Sequence, residues 1–184
     1  RENVASANDD HLFENLTLLV EPGRSIIADA GICLTTVRNR KSRPVVLPTG
    51  DSQLPTDTWL LTDAGFNILL SMETYKWYYH LVSAERAFQP HDFQYKLAGP
   101  LCDGGDVYFD IEGENRLPDH RMLPENVQPS EVLALLNCGA YSLAQASQYN
   151  GRFLPPVVLI RENGAAELVR RRDDFTDLIA NDLF

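Results

Sequence analysis

Leu16-Thr17-Leu18-Leu19-Val20-Glu21-Pro22-Gly23-Arg24 is an apolar run that stops abruptly at a turn. Five consecutive uncharged residues predict a short strand buried on both faces, as in a parallel sheet. Pro22 removes a backbone donor and Gly23 permits unusual backbone angles, so the strand must end there. Residues 25–37 are rich in Ile, Ala and Thr, which predicts a helical turn that continues as a strand.

The next segment, residues 38–58, holds four basic side chains among three prolines and one glycine. This composition predicts an exposed connection around one short strand at Val45-Val46-Leu47, and it is the expected internal boundary.

Short apolar or alternating runs then recur between turn signals. They lie at residues 59–62, 78–82, 93–97, 107–111, 132–136, 157–160 and 166–170. Strands at this spacing predict a mainly β chain that forms a β-sandwich or β-barrel. Two helices are predicted as well, at residues 141–149 and 173–181, the second opened by acidic residues that favour a helix N-terminus.

Composition limits the class of protein to which the chain can belong. The chain has 184 residues, 44% of them hydrophobic, a formal net charge of -10, three cysteines and four histidines. A chain of this length buries roughly two thirds of its unfolded surface, so its core needs no disulfide or metal. The odd number of cysteines, without CxxC spacing, fits a reduced, cytoplasmic setting. The histidines show no ligand spacing, so no metal site is expected.

The partners excluded by the sequence follow from charge and hydropathy. No apolar stretch approaches the roughly 18 to 20 residues of a membrane span, and a net negative chain repels a phosphate backbone, so neither membrane nor nucleic acid is an expected partner. Because Arg1-Glu2-Asn3 includes neither an initiator Met nor a signal peptide, we expect the chain to be part of a longer gene product.

Three segments carry residues suited to chemistry. Glu21-Pro22-Gly23-Arg24 follows a predicted buried strand, where a glycine and a guanidinium suit a phosphate, although a plain surface turn fits too. The Gly- and Pro-rich loop Gly99-Pro100-Leu101-Cys102-Asp103-Gly104-Gly105-Asp106 presents a thiol and carboxylates, or is a turn whose aspartates cap backbone donors. Tyr141 stands at the start of a predicted helix, with its hydroxyl either toward a ligand or satisfied by backbone.

Other residues are expected to be structural. Cys33 and Cys138 lie within apolar runs, which favours core packing over reactivity. The aromatic run Tyr75-Lys76-Trp77-Tyr78-Tyr79 could stack on a planar ligand, but a core or subunit-interface stripe is favoured.

The order of the three segments along the chain carries a resemblance to a known family. Glu21-Pro22-Gly23-Arg24-Ser25 comes first, the Cys102-Asp103 loop second, and Gly139-Ala140-Tyr141-Ser142 with Tyr149-Asn150-Gly151-Arg152 third. From about Leu16 to the C-terminus, the chain resembles the C-terminal part of the fold-type III pyridoxal-phosphate decarboxylases, which include ornithine, diaminopimelate and arginine decarboxylases. The resemblance implies that residues 1–35 end the cofactor-binding α/β (TIM-type) barrel with its last strand and turn, and that residues 36–184 form the β-domain.

The resemblance also implies contacts with pyridoxal 5'-phosphate. Glu21 matches the acid that pairs with the pyridine nitrogen. Gly23 and Arg24 match the phosphate-binding part of the same motif, and Tyr141 matches the tyrosine that reaches the phosphate.

The loop matches the substrate side of the family's site. In the family, the loop that corresponds to Cys102 and Asp103 enters the active site of the neighbouring subunit. The resemblance therefore implies a homodimer. Cys102 matches a proton donor, and Asp103 is suited to the distal ammonium of a diamino substrate. The implied activity is decarboxylation of a small diamino or basic amino acid, a carbon-carbon lyase reaction.

Two departures from the family shape these expectations. The lysine that holds the cofactor as a Schiff base belongs to the barrel, and Lys41, Lys76 and Lys96 do not match it. We therefore expect the chain to be inactive without a missing N-terminal barrel portion. Asp63-Ala64-Gly65-Phe66 replaces the Asp-Gly-Gly-Met of the diaminopimelate branch, and Ser71 falls where that branch has a substrate-binding Arg, so we expect a different pocket.

Two alternatives remain open beside the decarboxylase. One is a non-catalytic β-domain that serves dimerisation or partner binding. The other is an amino-acid racemase on the related barrel and β-domain plan, which the Cys102-Asp103 loop disfavours because such racemases use a tyrosine as the acid and base on the opposite face.

Overall fold

The computed structural model describes residues 16–44 and 56–183. These residues form strands and short helices in the following order. They are α1 (Arg24–Ile27), β1 (Cys33–Pro44), β2 (Thr56–Thr62), α2 (Leu70–Tyr75), β3 (Leu81–Ser83), β4 (Phe93–Ala98), β5 (Arg121–Leu123), β6 (Val132–Leu135), β7 (Val157–Ile160), β8 (Ala166–Arg170) and α3 (Phe175–Leu178). Two 3₁₀ turns complete them, at Ala28–Ala30 and Tyr149–Gly151.

Six strands form one sheet in the order β3-β6-β1-β2-β4-β5. The long strand β1 joins its two halves, because residues 33–36 pair with β6 and residues 37–44 pair with β2, both antiparallel. Strand β2 pairs with β4 in parallel, and the edge strands β3 and β5 approach each other. The sheet therefore curls into a nearly closed barrel, and the predicted mainly β class is confirmed. Strands β7 and β8 form a separate hairpin.

The core lies on the concave side of this sheet. Alternate residues of the strands point inward and are almost fully buried, among them Leu60, Tyr95, Leu97 and Leu123. A fully buried Leu contributes about 1.5–3 kcal/mol relative to an exposed one. Buried tyrosines keep their hydroxyls bonded, as at Tyr108, which donates to the carbonyl of Ala64 at 2.8 Å. No helix among the described residues is long and apolar enough to span a membrane.

Most strand predictions are confirmed. Strands β2, β4, β6, β7 and β8 coincide with predicted runs, and β3 covers the end of another. The helical turn that leads into a strand is α1, the 3₁₀ turn and β1. The C-terminal helix is shorter than predicted, and Asp174 caps its start by accepting from the backbone N–H groups of Thr176 and Asp177.

The predicted strand at residues 16–20 is not formed, and its side chains are exposed. A strand buried on both faces needs paired neighbours, and none of the described strands pairs with this segment.

The connection at residues 38–58 is largely strand. Residues 38–44 extend β1 and residues 56–58 begin β2, although most of them are exposed as expected. The predicted strand at Val45-Val46-Leu47 lies outside the described residues.

Two further predictions are wrong. Residues 107–111 form only one bridge, from Val107 to Ala98, since the Asp110 carboxylate accepts from two backbone N–H groups and makes a turn. Residues 141–149 form turns in place of a helix, because Tyr141 has a left-handed φ of 64° and cannot begin one.

Helix α2 and strand β5 were not predicted. Helix α2 is only six residues long and is followed by Lys76, whose φ is 52°. Strand β5 is three residues long. Both are too short for a periodic signal to stand out.

Candidate functional site

The segment that follows Gly23 is docked closely on the turn before Tyr141. The Cys138 N–H donates to the Gly31 carbonyl at 2.8 Å, and the Gly139 N–H donates to the Ala28 carbonyl at 2.9 Å. A Cβ atom at Gly139 would collide with the Ile27 carbonyl oxygen, so only glycine allows this approach. The docking brings together two motifs more than 100 residues apart.

Gly23 and Tyr141 meet directly at this junction. A Cβ atom on Gly23 would collide with the Tyr141 hydroxyl, so the glycine leaves room for the ring. Tyr141 is held at φ 64°, an uncommon conformation for a large side chain. The structure therefore brings Gly23 and Tyr141, both predicted as cofactor contacts, into one place.

Arg24 lies between two aromatic rings. Its guanidinium carbon is 3.9 Å from the centre of the Trp77 ring and 5.0 Å from that of Tyr141. Its Nη2 donates to the Ser71 hydroxyl at 3.2 Å, and that hydroxyl donates to Gln145 Oε1 at 3.1 Å. Across residues 16–44 and 56–183, no carboxylate forms a salt bridge with Arg24, so its charge remains available to an anion.

A cleft of about 480 Å³ opens beside this cluster. Polar and aromatic side chains line it together with Ala28: Arg24, Ser25, Asp29, Trp77 and Asn137. Glu21 is exposed and makes no hydrogen bond with any described residue. The structure thus groups Gly23, Arg24 and Tyr141 and leaves Glu21 at the margin.

Cys102 and Asp103 form a second cluster with the 3₁₀ turn Tyr149–Gly151. The Cys102 N–H donates to Asn150 Oδ1 at 2.7 Å. The Tyr149 hydroxyl donates to Asp103 Oδ2 at 3.0 Å, and this bond and charge raise the pKa of Tyr149. Cys102 is an exposed free cysteine.

Asp106 fastens the same loop to the turn that follows β2. Its carboxylate is 2% exposed and accepts from the Phe66 N–H at 2.9 Å and the Leu101 N–H at 2.7 Å. Burial raises the pKa of Asp106, while the two amide donors oppose that rise. A Cβ atom on Gly65 would lie 2.7 Å from both carboxylate oxygens, so the chain passes directly over the charge. The expectation that loop aspartates cap backbone donors is confirmed for Asp106.

The two clusters remain separate within this chain. No hydrogen bond among the described residues joins Arg24 or Tyr141 to the Cys102 loop. Gln145 is a site residue that the sequence did not single out, and Trp77 was expected to be structural. The aromatic run at 75–79 was the available signal for Trp77, and it is split: Tyr79 is buried in the core, whereas Trp77 faces Arg24.

Comparison with protein families matches residues 9–139 to the pyridoxal-dependent decarboxylase C-terminal sheet domain. The diaminopimelate decarboxylase of Escherichia coli K12 is 36% identical over 187 residues, covering 100% of this chain and 40% of that protein. The diaminopimelate decarboxylase of Methanothermobacter thermautotrophicus is 36% identical over 162 residues, covering 88% of this chain and 32% of that protein.

Solved structures agree with this match. The crystal structure of diaminopimelate decarboxylase from Methanocaldococcus jannaschii in complex with L-lysine has a TM-score of 0.69 at 32% identity. It is matched over 89% of this chain and 32% of that chain.

The curled sheet has the architecture of the C-terminal sheet domain found in pyridoxal-dependent decarboxylases. The chain belongs to the pyridoxal-dependent decarboxylase family, as its C-terminal sheet domain. It spans about 40% of the Escherichia coli relative's length.

Proposed function

We propose that the chain is the C-terminal portion of a pyridoxal-phosphate-dependent decarboxylase that acts on a diamino or other basic amino acid. The observation that carries the proposal is the meeting of Gly23, Arg24 and Tyr141 beside an open cleft. Residues from two distant motifs converge there, and family membership gives that convergence its chemical meaning.

The residues at the cleft suit the cofactor's phosphate. Arg24 offers a guanidinium that no described carboxylate neutralises, and the Tyr141 hydroxyl lies over the bare Cα of Gly23. A guanidinium and a hydroxyl are groups that donate hydrogen bonds to a phosphate, and the missing Cβ lets the Tyr141 hydroxyl come close to the backbone beside Arg24. Pyridoxal phosphate, when bound, supplies an electron sink for the electron pair of the bond that breaks when carbon dioxide leaves. Glu21, exposed two residues before Gly23, would hold a proton on the ring nitrogen.

The Cys102 loop supplies the substrate side of the proposed reaction. Cys102 Sγ is exposed and would give its proton to the substrate carbon that has lost carbon dioxide. The Asp103 carboxylate would bind the distal ammonium of the substrate. In this proposal the loop reaches the neighbouring subunit's site, since it forms no hydrogen bond with Arg24 or Tyr141 among the described residues.

The lysine that holds the cofactor would come from the barrel portion. Lys76 is nearly buried and pairs with Glu112 at 3.4 Å, and Lys96 pairs with Asp57 at 3.0 Å. Lys41 lies on β1 in a run of mostly exposed residues. None of the three lines the cleft, which supports a lysine from the barrel portion. We propose that residues 1–35 complete the barrel and residues 36–184 form the β-domain, with β1 crossing from one to the other because its residues 33–35 already pair with β6.

Exposed apolar side chains on the proposed barrel remnant support this division. Leu18 is 85% exposed, Leu19 is 86% exposed, and Ile26 and Ile32 are more than half exposed. A contiguous apolar segment of this kind normally has a partner surface. We assign that surface to the barrel, within a cytoplasmic homodimer whose three cysteines remain reduced.

The substrate proposed here departs from that of the matched relatives. Those relatives are diaminopimelate decarboxylases, and one of them was solved with L-lysine. In this chain Ser71 offers only a hydroxyl, which Arg24 and Gln145 already engage. A second substrate carboxylate would therefore find less positive charge, which favours simple diamino acids over diaminopimelate.

The test is a decarboxylation assay on the complete enzyme. We expect carbon dioxide release from at least one of lysine, ornithine and arginine, slower release from diaminopimelate, and a large loss of the release in Cys102→Ala. Cys33→Ala is the matched control, because Cys33 packs against the core. Conversion of L- to D-amino acids without carbon dioxide would favour the racemase, and binding without turnover would favour a non-catalytic domain.

A further inference from the structure

The 3₁₀ turn Tyr149–Gly151 touches two consecutive loop residues with two consecutive side chains. Asn150 accepts the N–H of Cys102 at 2.7 Å, and Tyr149 donates its hydroxyl to Asp103 at 3.0 Å. Each contact reaches one loop residue only. The turn therefore contacts the backbone of Cys102 and one oxygen of the Asp103 carboxylate, whose other oxygen accepts from the Gly105 N–H at 2.8 Å.

The turn is itself anchored to the rest of the fold. The Tyr149 ring lies 5.5 Å from the Phe66 ring, and the Ser147 N–H donates to the Asn67 carbonyl at 2.8 Å. Asn67 is 3% exposed. A loop held by such a turn is held relative to the core, so these contacts restrict where the thiol can lie.

Asn150 suits this position for two separate reasons. Its φ of 56° and ψ of 26° lie in the left-handed region, where Asn and Gly are favoured among the residues. Its side chain supplies the oxygen that accepts from Cys102. Glycine would satisfy the first requirement and fail the second, whereas aspartate would satisfy both.

We propose that Tyr149 and Asn150 are positioning residues for the Cys102 loop: Asn150 sets the place of the Cys102 thiol, and Tyr149 orients the Asp103 carboxylate toward the substrate. This inference rests on the proposed function, which gives Cys102 the proton transfer and Asp103 the distal ammonium. The roles predict a split in kinetics. Loss of the Asn150 contact lowers kcat, and loss of the Tyr149 contact raises KM.

The test uses Asn150→Gly, Asn150→Asp and Tyr149→Phe in the complete, cofactor-loaded enzyme. The first readout is amide hydrogen exchange at Cys102, which needs no activity. Asn150→Gly should speed that exchange by about three- to tenfold, the factor that corresponds to the net free energy of one hydrogen bond. Asn150→Asp should keep it near the wild-type rate, and so should Tyr149→Phe.

The second readout is steady-state kinetics with the best diamino substrate. Asn150→Gly should lower kcat by about three- to tenfold with little change in KM, and Asn150→Asp should recover most of that loss. Tyr149→Phe should raise KM by a similar factor with little change in kcat. Asn115→Gly is the matched control, because Asn115 is exposed, has the same φ of 56° and makes no side-chain hydrogen bond with a described residue.

Two results would overturn the inference. One is unchanged Cys102 exchange in Asn150→Gly. The other is a loss shared equally by kcat and KM in both Asn150→Gly and Tyr149→Phe. A normal rate in Cys102→Ala would overturn the proposed function, whereas faster Cys102 exchange in Asn150→Gly would still support the contact, so the two failures are distinguishable.

Discussion

Replacing Gly31 by alanine tests how closely the segment before β1 is docked on the turn that carries Tyr141. Gly31 has φ -132° and ψ 141°, an extended conformation that any residue adopts. The substitution therefore adds no backbone strain. Its effect on the folded state comes from the added Cβ atom, which would lie 2.5 Å from the Gly139 nitrogen and 2.6 Å from the Gly139 Cα.

The expected cost follows from these distances. Ordinary contacts of a Cβ atom begin at 3.4 Å, so the two backbones must separate by about an ångström. Overpacking of this kind costs about 1–3 kcal/mol. The separation also weakens the Cys138 bond to Gly31 and the Gly139 bond to Ala28, each worth about 0.5–1.5 kcal/mol net. We expect Gly31→Ala to lower the free energy of unfolding by about 2–4 kcal/mol.

The assay is equilibrium urea unfolding followed by tryptophan fluorescence and circular dichroism. Gly104→Ala is the control, because a Cβ atom there meets nothing within 4 Å and the residue has no positive φ. That variant should match wild type or gain about 0.4–1 kcal/mol, since alanine reduces the freedom of the unfolded chain. A Gly31→Ala protein within about 0.5 kcal/mol of the Gly104→Ala protein would refute the close docking.

Two further predictions concern titrating groups. Burial raises the pKa of Cys33 to about 12 and that of Cys138 to about 11, so at pH 7.5 iodoacetamide should modify Cys102 alone, as peptide mapping would show. The Arg171 guanidinium and a backbone donor lower the pKa of Asp177 to about 2, so its stabilising effect is complete above about pH 4 and disappears as the pH falls toward 2. A carbon-detected NMR titration should give that pKa, and Arg171→Gln should raise it; an unchanged value in the variant would contradict the pairing.

The strand pattern was readable from sequence wherever a strand alternates or is bounded by turn residues. Residues 93–98 show this, because the side chains of Tyr95 and Leu97 enter the core while their neighbours do not. The pattern misled at residues 16–20, where an apolar run pairs with none of the described strands. It misled again at residues 107–111, where the Asp110 carboxylate accepts from two backbone N–H groups of a turn.

The candidate site was readable only in part. Gly23, Arg24 and Tyr141 stand in motifs whose residue types fit an anion, and the structure places them together. The contacts of Trp77 and Asn150 could not be predicted from the sequence. Trp77 stacks on Arg24, and Asn150 accepts from the N–H of Cys102, and neither contact leaves a pattern among neighbouring residues.

Local chemistry along the chain was enough to establish a mainly β domain with a short helical turn before its first strand and a capped helix at its end. Propensity, alternation and capping act between near neighbours, so the order of residues carries them. Only the tertiary structure determines which loops are in contact. The 3₁₀ turn at 149–151 contacts the Cys102 loop, and the segment after Gly23 contacts the turn before Tyr141. Those contacts join residues 46 to 116 positions apart, and they depend on the closure of the sheet that brings its loops together.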